Sequence, residues 1–380
     1  MYQVVTRPKR KRRLGASWLM AFAFVVASLS LAACGSSSSS SSATSSAASS
    51  GTSSSASGTS TSSAAAAATG GALKKGLKVF VIPKNLGNNY FTVADSVKTG
   101  GALAALQQLG ESGTETSGSA ATSASQLPAI QAAIAKGANA LVVSATDPTA
   151  LCPTLKQAMA RGITVVTYDS DAPTCRDMFI NQASTASIGT SEVDVLAKEL
   201  HDSGQIGIVS AEASAPNQNT WIGFMKQELK KYPKMKLVST VYGNDDPTTA
   251  TQVTSGLLQH YPHLAGIISP TTVGIVAAAG VLDTSQYRGK VQLTGLGTPL
   301  SMKKFVDDGT VQAFELWDPA KLGYLGAYAA VNLASKKITA ASGQTLSAGK
   351  LGSFTVGPDA TIVLGPPLVF NKANIAKYNF

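Results

Sequence analysis

The stretch ALVVSATDPTALCPTLKQAMARGITVVTY, residues 140–168, decides the fold. It opens and closes on short apolar runs, 140–144 and 163–168, and carries a helix-length segment, 149–161, between them. Strands buried on both faces read as near-continuous Val/Ile/Leu runs, and two of them joined by a helix pair in parallel. The rhythm extends in both directions. Upstream come a strand at 78–83, a helix over 92–109, a weakly marked strand near Glu115 and a helix at 126–136. Downstream, helices at 187–202, 218–230, 248–260, 272–282, 301–307 and 320–335 alternate with strands at 206–210, 236–241, 266–269, 291–295 and 311–316. Two such series predict an α/β protein with two doubly wound parallel-sheet lobes. A folded body of roughly 300 residues also exceeds the usual size of a single core.

The first 77 residues have a different character. Arg7, Lys9, Arg10, Lys11, Arg12 and Arg13 precede an apolar run at 16–33 that ends Leu31-Ala32-Ala33-Cys34. Cations, a short apolar run and small residues make a secretory signal peptide, and a span would need about 20 apolar residues. The closing Cys resembles the lipobox of bacterial lipoproteins, which implies that Cys34 carries lipid and heads the mature chain. Residues 35–71 are almost entirely Ser, Ala, Gly and Thr, too poor in apolar surface to repay ordering. The expected organisation is a signal peptide at 1–33 and a lipidated, disordered tether at 34–77. An N-terminal lobe follows at 78–182 plus 299–317, and a C-terminal lobe at 183–298 plus 318–380.

The formal charge is +10; removing the six signal-peptide cations, which no acid in 1–33 offsets, leaves +4 without a dominant cluster. That argues against nucleic-acid binding. Apart from Cys34, the cysteines are Cys152 and Cys175, which outside the cytoplasm could form a disulfide or remain two buried thiols.

In open α/β sheets ligands bind beyond the carboxyl ends of the strands. Those positions here carry Lys84, Tyr90 and Phe91; Asp169 and Asp171; Asn217 and Gln218, with Trp221 beyond; Pro270 and Thr272; and Trp317. Carboxylates and amides pair with vicinal hydroxyls, and flat rings stack on C–H faces, so this mixture suits a small polyhydroxylated ligand. Catalytic patterns are poor. His201, His260 and His263 lie away from the strand ends; Gly295-Leu296-Gly297 lacks a third glycine; Glu212 and Asp245-Asp246 read as a loop and a helix start. Neither an enzyme, a cofactor nor a metal site is expected.

VIPK at 81–84, 144–162, YDSD at 168–171, INQ at 180–182, NQNTW at 217–221, ELWD at 315–318 and FNKANIAKYNF at 370–380 carry a family resemblance. The chain resembles the solute-binding lipoproteins of sugar ABC importers, with the type I periplasmic-binding-protein fold, in the branch of rhamnose-binding and autoinducer-2-binding proteins. That resemblance implies a monomer that captures a monosaccharide between its lobes, closes about a hinge and docks on the transmembrane subunits of an ABC permease. It implies three chain crossings, expected near 182–184, 297–299 and 317–319, and places Cys152 and Cys175 in one lobe. The autoinducer-2 site would fall on Lys84, Asp169, Gln218 and Pro270. Two positions depart from it: Asn217 stands for an aspartate and Thr272 for an alanine. These departures turn the expectation toward rhamnose or a related deoxyhexose, with autoinducer-2 as the alternative.

Overall fold

The structure is a computed structural model that describes residues 72–380. The signal peptide, the lipidation of Cys34 and the serine-rich tether lie outside the described residues, and no described helix is long and apolar enough to cross a membrane. The tether was expected to reach residue 77, yet Lys74 N donates to Ser335 Oγ at 3.0 Å and Leu77 N to Glu111 Oε2 at 2.6 Å. These residues already belong to the body.

The first lobe is built on β1 (Lys78–Ile82), β2 (Ser112–Glu115), β3 (Ala140–Val143), β4 (Thr164–Tyr168) and β5 (Met178–Asn181). Between them run α1 (Asn89–Asp95), α2 (Ala102–Leu109), α3 (Ser123–Ala135) and α4 (Pro148–Ala160). The helix expected over 92–109 is two, because the chain turns at Gly100 (φ 79°) and Gly101. A Cβ on Gly101 would stand 2.0 Å from Ala94 O, so only glycine lets α2 start there.

The second lobe alternates α5 (Thr185–Leu200), β6 (Ser203–Ser210), α6 (Pro216–Glu228), β7 (Lys234–Tyr242), α7 (Pro247–His260), β8 (Leu264–Ser269), α8 (Thr272–Asp283), β9 (Gln292–Gly295), α9 (Pro299–Asp307) and β10 (Ala313–Leu316). Its parallel strands lie in the order β7-β6-β8-β9. A parallel bridge from Leu296 to Glu315 carries the sheet on to β10.

The chain then returns. Helix α10 (Pro319–Ala334) packs against α1, α2, β3 and β4 of the first lobe, with thirteen of its sixteen residues buried. Its small residues permit this: a Cβ on Gly323 would meet Ala94 O at 2.0 Å, and one on Gly326 would meet Val142 at 3.2 Å. A small hairpin follows, β11 (Thr345–Ser347) with β12 (Ser353–Thr355). Then β13 (Thr361–Val363) joins the first sheet, completing the parallel order β13-β5-β4-β3-β1-β2. Finally β14 (Leu368–Asn371) pairs antiparallel with β10, and Phe380 O accepts from Leu300 N at 3.0 Å.

This path corrects the expected lobe boundaries. Residues 299–317 belong to the second lobe, because α9 packs on α8 and β10 lies beside β9. Residues 318–363 belong to the first lobe, and only 368–380 return to the second. The crossings are therefore 182–184, 317–318 and 364–367; the one expected at 297–299 does not exist. Cys152 and Cys175 do share the first lobe, Cα atoms 5.3 Å apart with their sulfurs at bonding distance.

Candidate functional site

Strand ends from both lobes converge on a cavity whose empty space, the open solvent at its mouth included, is about 350 Å³. From the first lobe, β1 runs out at Ile82 and delivers Lys84, which is 2 % exposed. Asn88 caps α1 by accepting from Tyr90 N at 3.0 Å, which fixes Tyr90 and Phe91 in the first turn of that helix. Asp169 directly follows β4 in a left-handed backbone conformation (φ 61°), uncommon for a residue with a side chain and a mark of an over-determined position. Ser144 Oγ, at the end of β3, donates to Asp169 Oδ2 at 3.3 Å.

From the second lobe, α6 begins at Pro216 and places Asn217 and Gln218 in its first turn. The Gln218 amide is oriented by two donors, Ser210 Oγ at 2.7 Å and Ala211 N at 2.8 Å. Pro270 follows β8, and Thr271 caps α8 while donating to Asp245 Oδ1. The apolar wall is formed by Phe91, Trp221, Leu296, Leu316 and Trp317. Trp317 Nε1 donates to Tyr90 Oη at 2.8 Å, and both rings meet edge-on at 6.1 Å.

Polar side chains close the lobes over this cavity. Lys84 Nζ donates to Asn217 Oδ1 at 3.1 Å, Asn217 Nδ2 to Asp169 Oδ2 at 3.4 Å, and Thr272 Oγ1 to Asn88 Oδ1 at 3.5 Å. At the rim, Asn89 Nδ2 reaches Thr298 Oγ1 at 3.3 Å. The Lys84 bond is of ordinary length; the other three are long and therefore weak individually.

Lys84 is the only cation lining the cavity among the described residues. Burial pushes the Asp169 carboxyl up to about 6, against the opposing pull of Lys84 and the Ser144 hydrogen bond. Burial also raises Asp245, opposed by Lys84 and Thr271, and takes Glu212 up to about 7 with help from the Asp245 charge. A polar, acid-rich floor under an aromatic wall can pair with several hydroxyls and cover a C–H face. Among the described residues no group of three or more His, Cys, Asp or Glu is placed to hold a metal.

Nine of the ten residues expected in the site lie on this cavity: Lys84, Tyr90, Phe91, Asp169, Asn217, Gln218, Pro270, Thr272 and Trp317. Asp171 does not. Its carboxylate accepts from Arg176 Nε at 2.8 Å and Nη2 at 3.0 Å, from Thr167 Oγ1 at 2.5 Å and from Ala172 N at 2.8 Å. Those donors occupy most of its acceptor sites, so Asp171 braces the loop and lies off this cavity, on an adjoining pocket. Sequence reasoning missed Asn88, Thr271 and Asp245. Asp245 follows β7 by three residues, and that strand-end position was the signal that could have found it.

Residues 79–338 match the periplasmic binding protein domain family, and the chain belongs to that family. A sugar ABC transporter structure from Actinomyces odontolyticus is 44 % identical, covering 80 % of this chain and 98 % of that one at a TM-score of 0.63. A solute-binding protein from Clostridium phytofermentas with bound L-rhamnose is 33 % identical, with coverage of 80 % and 98 % and a TM-score of 0.77. LsrB from Clostridium saccharobutylicum in complex with AI-2 is 26 % identical, with coverage of 80 % and 100 % and a TM-score of 0.74. The α/β architecture with parallel sheets is thus that of type I periplasmic binding proteins, and these relatives are transport proteins rather than enzymes.

Proposed function

We propose that this protein is the lipid-anchored, extracytoplasmic sugar-binding subunit of an ABC importer, and that its ligand is L-rhamnose or a related deoxyhexose. The observation that carries this reading is the cavity itself. Lys84, Asp169, Asn217 and Gln218 meet across two lobes beneath the Phe91, Trp221 and Trp317 rings. A ligand that bridges both lobes stabilises only the closed form, so it shifts the population toward closure. The comparison supports a hinge: the 44 % identical structure superposes less well (0.63) than the 33 % identical L-rhamnose complex (0.77), as lobes set at different angles would do. The closed face then presents itself to the permease. The Leu31-Ala32-Ala33-Cys34 sequence supports the anchor.

The autoinducer-2 reading has a relative in its favour, but Asn217 and Thr272 weigh against it. An amide at 217 gives the ligand a donor as well as an acceptor, and Thr272 adds a hydroxyl and bulk to the cavity. A thermal-shift panel of L-rhamnose, L-fucose, ribose, xylose, galactose and autoinducer-2 decides between them. A ligand at 100 times its dissociation constant stabilises by ~2.7 kcal/mol, which is readily seen. A shift with L-rhamnose or L-fucose is the expected result; a shift with autoinducer-2 alone overturns the ligand assignment.

A further inference from the structure

A second pocket adjoins the cavity and shares three of its walls, Asp169, Asn217 and Trp221. By the same measure it holds about 560 Å³. The divider between the two spaces is the Asn217–Asp169 contact, a single long hydrogen bond of 3.4 Å between lobes. Beyond it, Phe179 and Pro173 of the first lobe face Pro216 and Thr220 of the second. Gln182, on the first chain crossing, lines the pocket at 1 % exposure, and neither its Oε1 nor its Nε2 has a hydrogen-bond partner among the described residues.

A buried amide unpaired at both ends is costly and rare in native proteins. A hydroxyl group, donor and acceptor at once, satisfies either end. The Phe179 ring, with the Arg176 guanidinium over it at 5.8 Å from its centre, and the two proline rings offer apolar surface for C–H groups. An amide beside apolar ring surface repeats, in the second pocket, the chemistry of the first.

We propose that this pocket is a second subsite, so that the protein takes a glycoside: a deoxyhexose ring in the cavity and a neutral second sugar passing the Asp169–Asn217 pair onto Phe179 and Gln182. The inference rests on the sugar reading of the first cavity. It also assigns a role to Gln182, which that reading leaves unused.

Titration calorimetry with L-rhamnose and with rutinose, a rhamnosyl-glucose, tests it. Rutinose should bind at least as tightly as L-rhamnose. Thr220→Trp, at an exposed position on α6, fills the pocket and should weaken rutinose by about tenfold or more while leaving L-rhamnose within about twofold. Gln182→Leu should remove a similar factor from rutinose alone, about tenfold. Rutinose binding more than about a hundredfold weaker than L-rhamnose, or binding that ignores Thr220→Trp, overturns the subsite and leaves the monosaccharide reading standing. No binding by either sugar overturns the subsite and the choice of L-rhamnose together.

Discussion

Replacing Asn217 by aspartate probes the charge balance of the cavity at the point where the lobes meet. The amide accepts from Lys84 at 3.1 Å and donates to Asp169 at 3.4 Å. An aspartate keeps the first contact and turns the second into carboxylate against carboxylate. At an effective dielectric of about 20, unit charges at these distances interact by roughly 5 kcal/mol each, with opposite signs, so the new attraction and repulsion nearly cancel. What remains is the cost of burying another charge and the repulsion from Asp245 and Glu212, and both favour the neutral acid. The closed variant therefore takes up a proton that the open, hydrated form does not hold. A carboxyl whose pKa rises on closure favours closure at low pH, and that benefit is lost as pH climbs through the raised value. Asp169 already stands at about 6 in the natural chain, so in the variant the loss continues above pH 6. One linked proton limits the effect to about tenfold in Kd per pH unit. Calorimetry with L-rhamnose should find the ratio of variant to natural Kd rising by about ten- to hundredfold from roughly pH 6 to 8. A ratio that stays flat or falls with pH refutes the reasoning.

Asp171→Asn should leave L-rhamnose affinity within about twofold while lowering stability by roughly 1–3 kcal/mol, because Arg176 loses its charged partner. A tenfold affinity loss (about 1.4 kcal/mol) with unchanged melting would instead place Asp171 on the ligand. Glu192 is fully buried, with neither carboxylate oxygen partnered among the described residues, and burial with Glu315 nearby holds its pKa well above the ordinary value. Its folded pKa being raised, its contribution is present below the unfolded value of about 4.5 and is lost as pH rises. Glu192→Gln should therefore raise the melting temperature by several degrees at about pH 8 and by little at about pH 4.5; an equal change at both would contradict this.

The strand ends were the legible part of the site, because an apolar run announces where it stops and the next polar residue lies at a sheet's carboxyl edge. Lys84, Asp169, Asn217, Gln218 and Pro270 were found that way. Asp171 shows the limit of the rule. Three residues past β4 the chain has already turned at Asp169, and Arg176, five residues further on, claims the carboxylate. Asn88 and Thr271 escaped notice because a helix cap reads as local structure, although each also faces the cavity. β5 was missed because MFIN is short and no helix separates it from β4. Which lobe a late helix joins is a matter of tertiary contact: α10 is apolar nearly all round, and its packing on α1, α2, β3 and β4, with Gly323 and Gly326 at the closest approaches, places it on the first sheet.

The late strands bear on how the chain must fold. β13 and β14, at 361–363 and 368–371, supply an edge strand to each sheet from the last twenty residues of the sequence. A chain shortened before residue 361 would lack both. Neither lobe can finish its sheet until residues 361–371 are available, and the pairing of β13 with β5 spans about 180 residues, a slow contact to form. Such a topology postpones the native state.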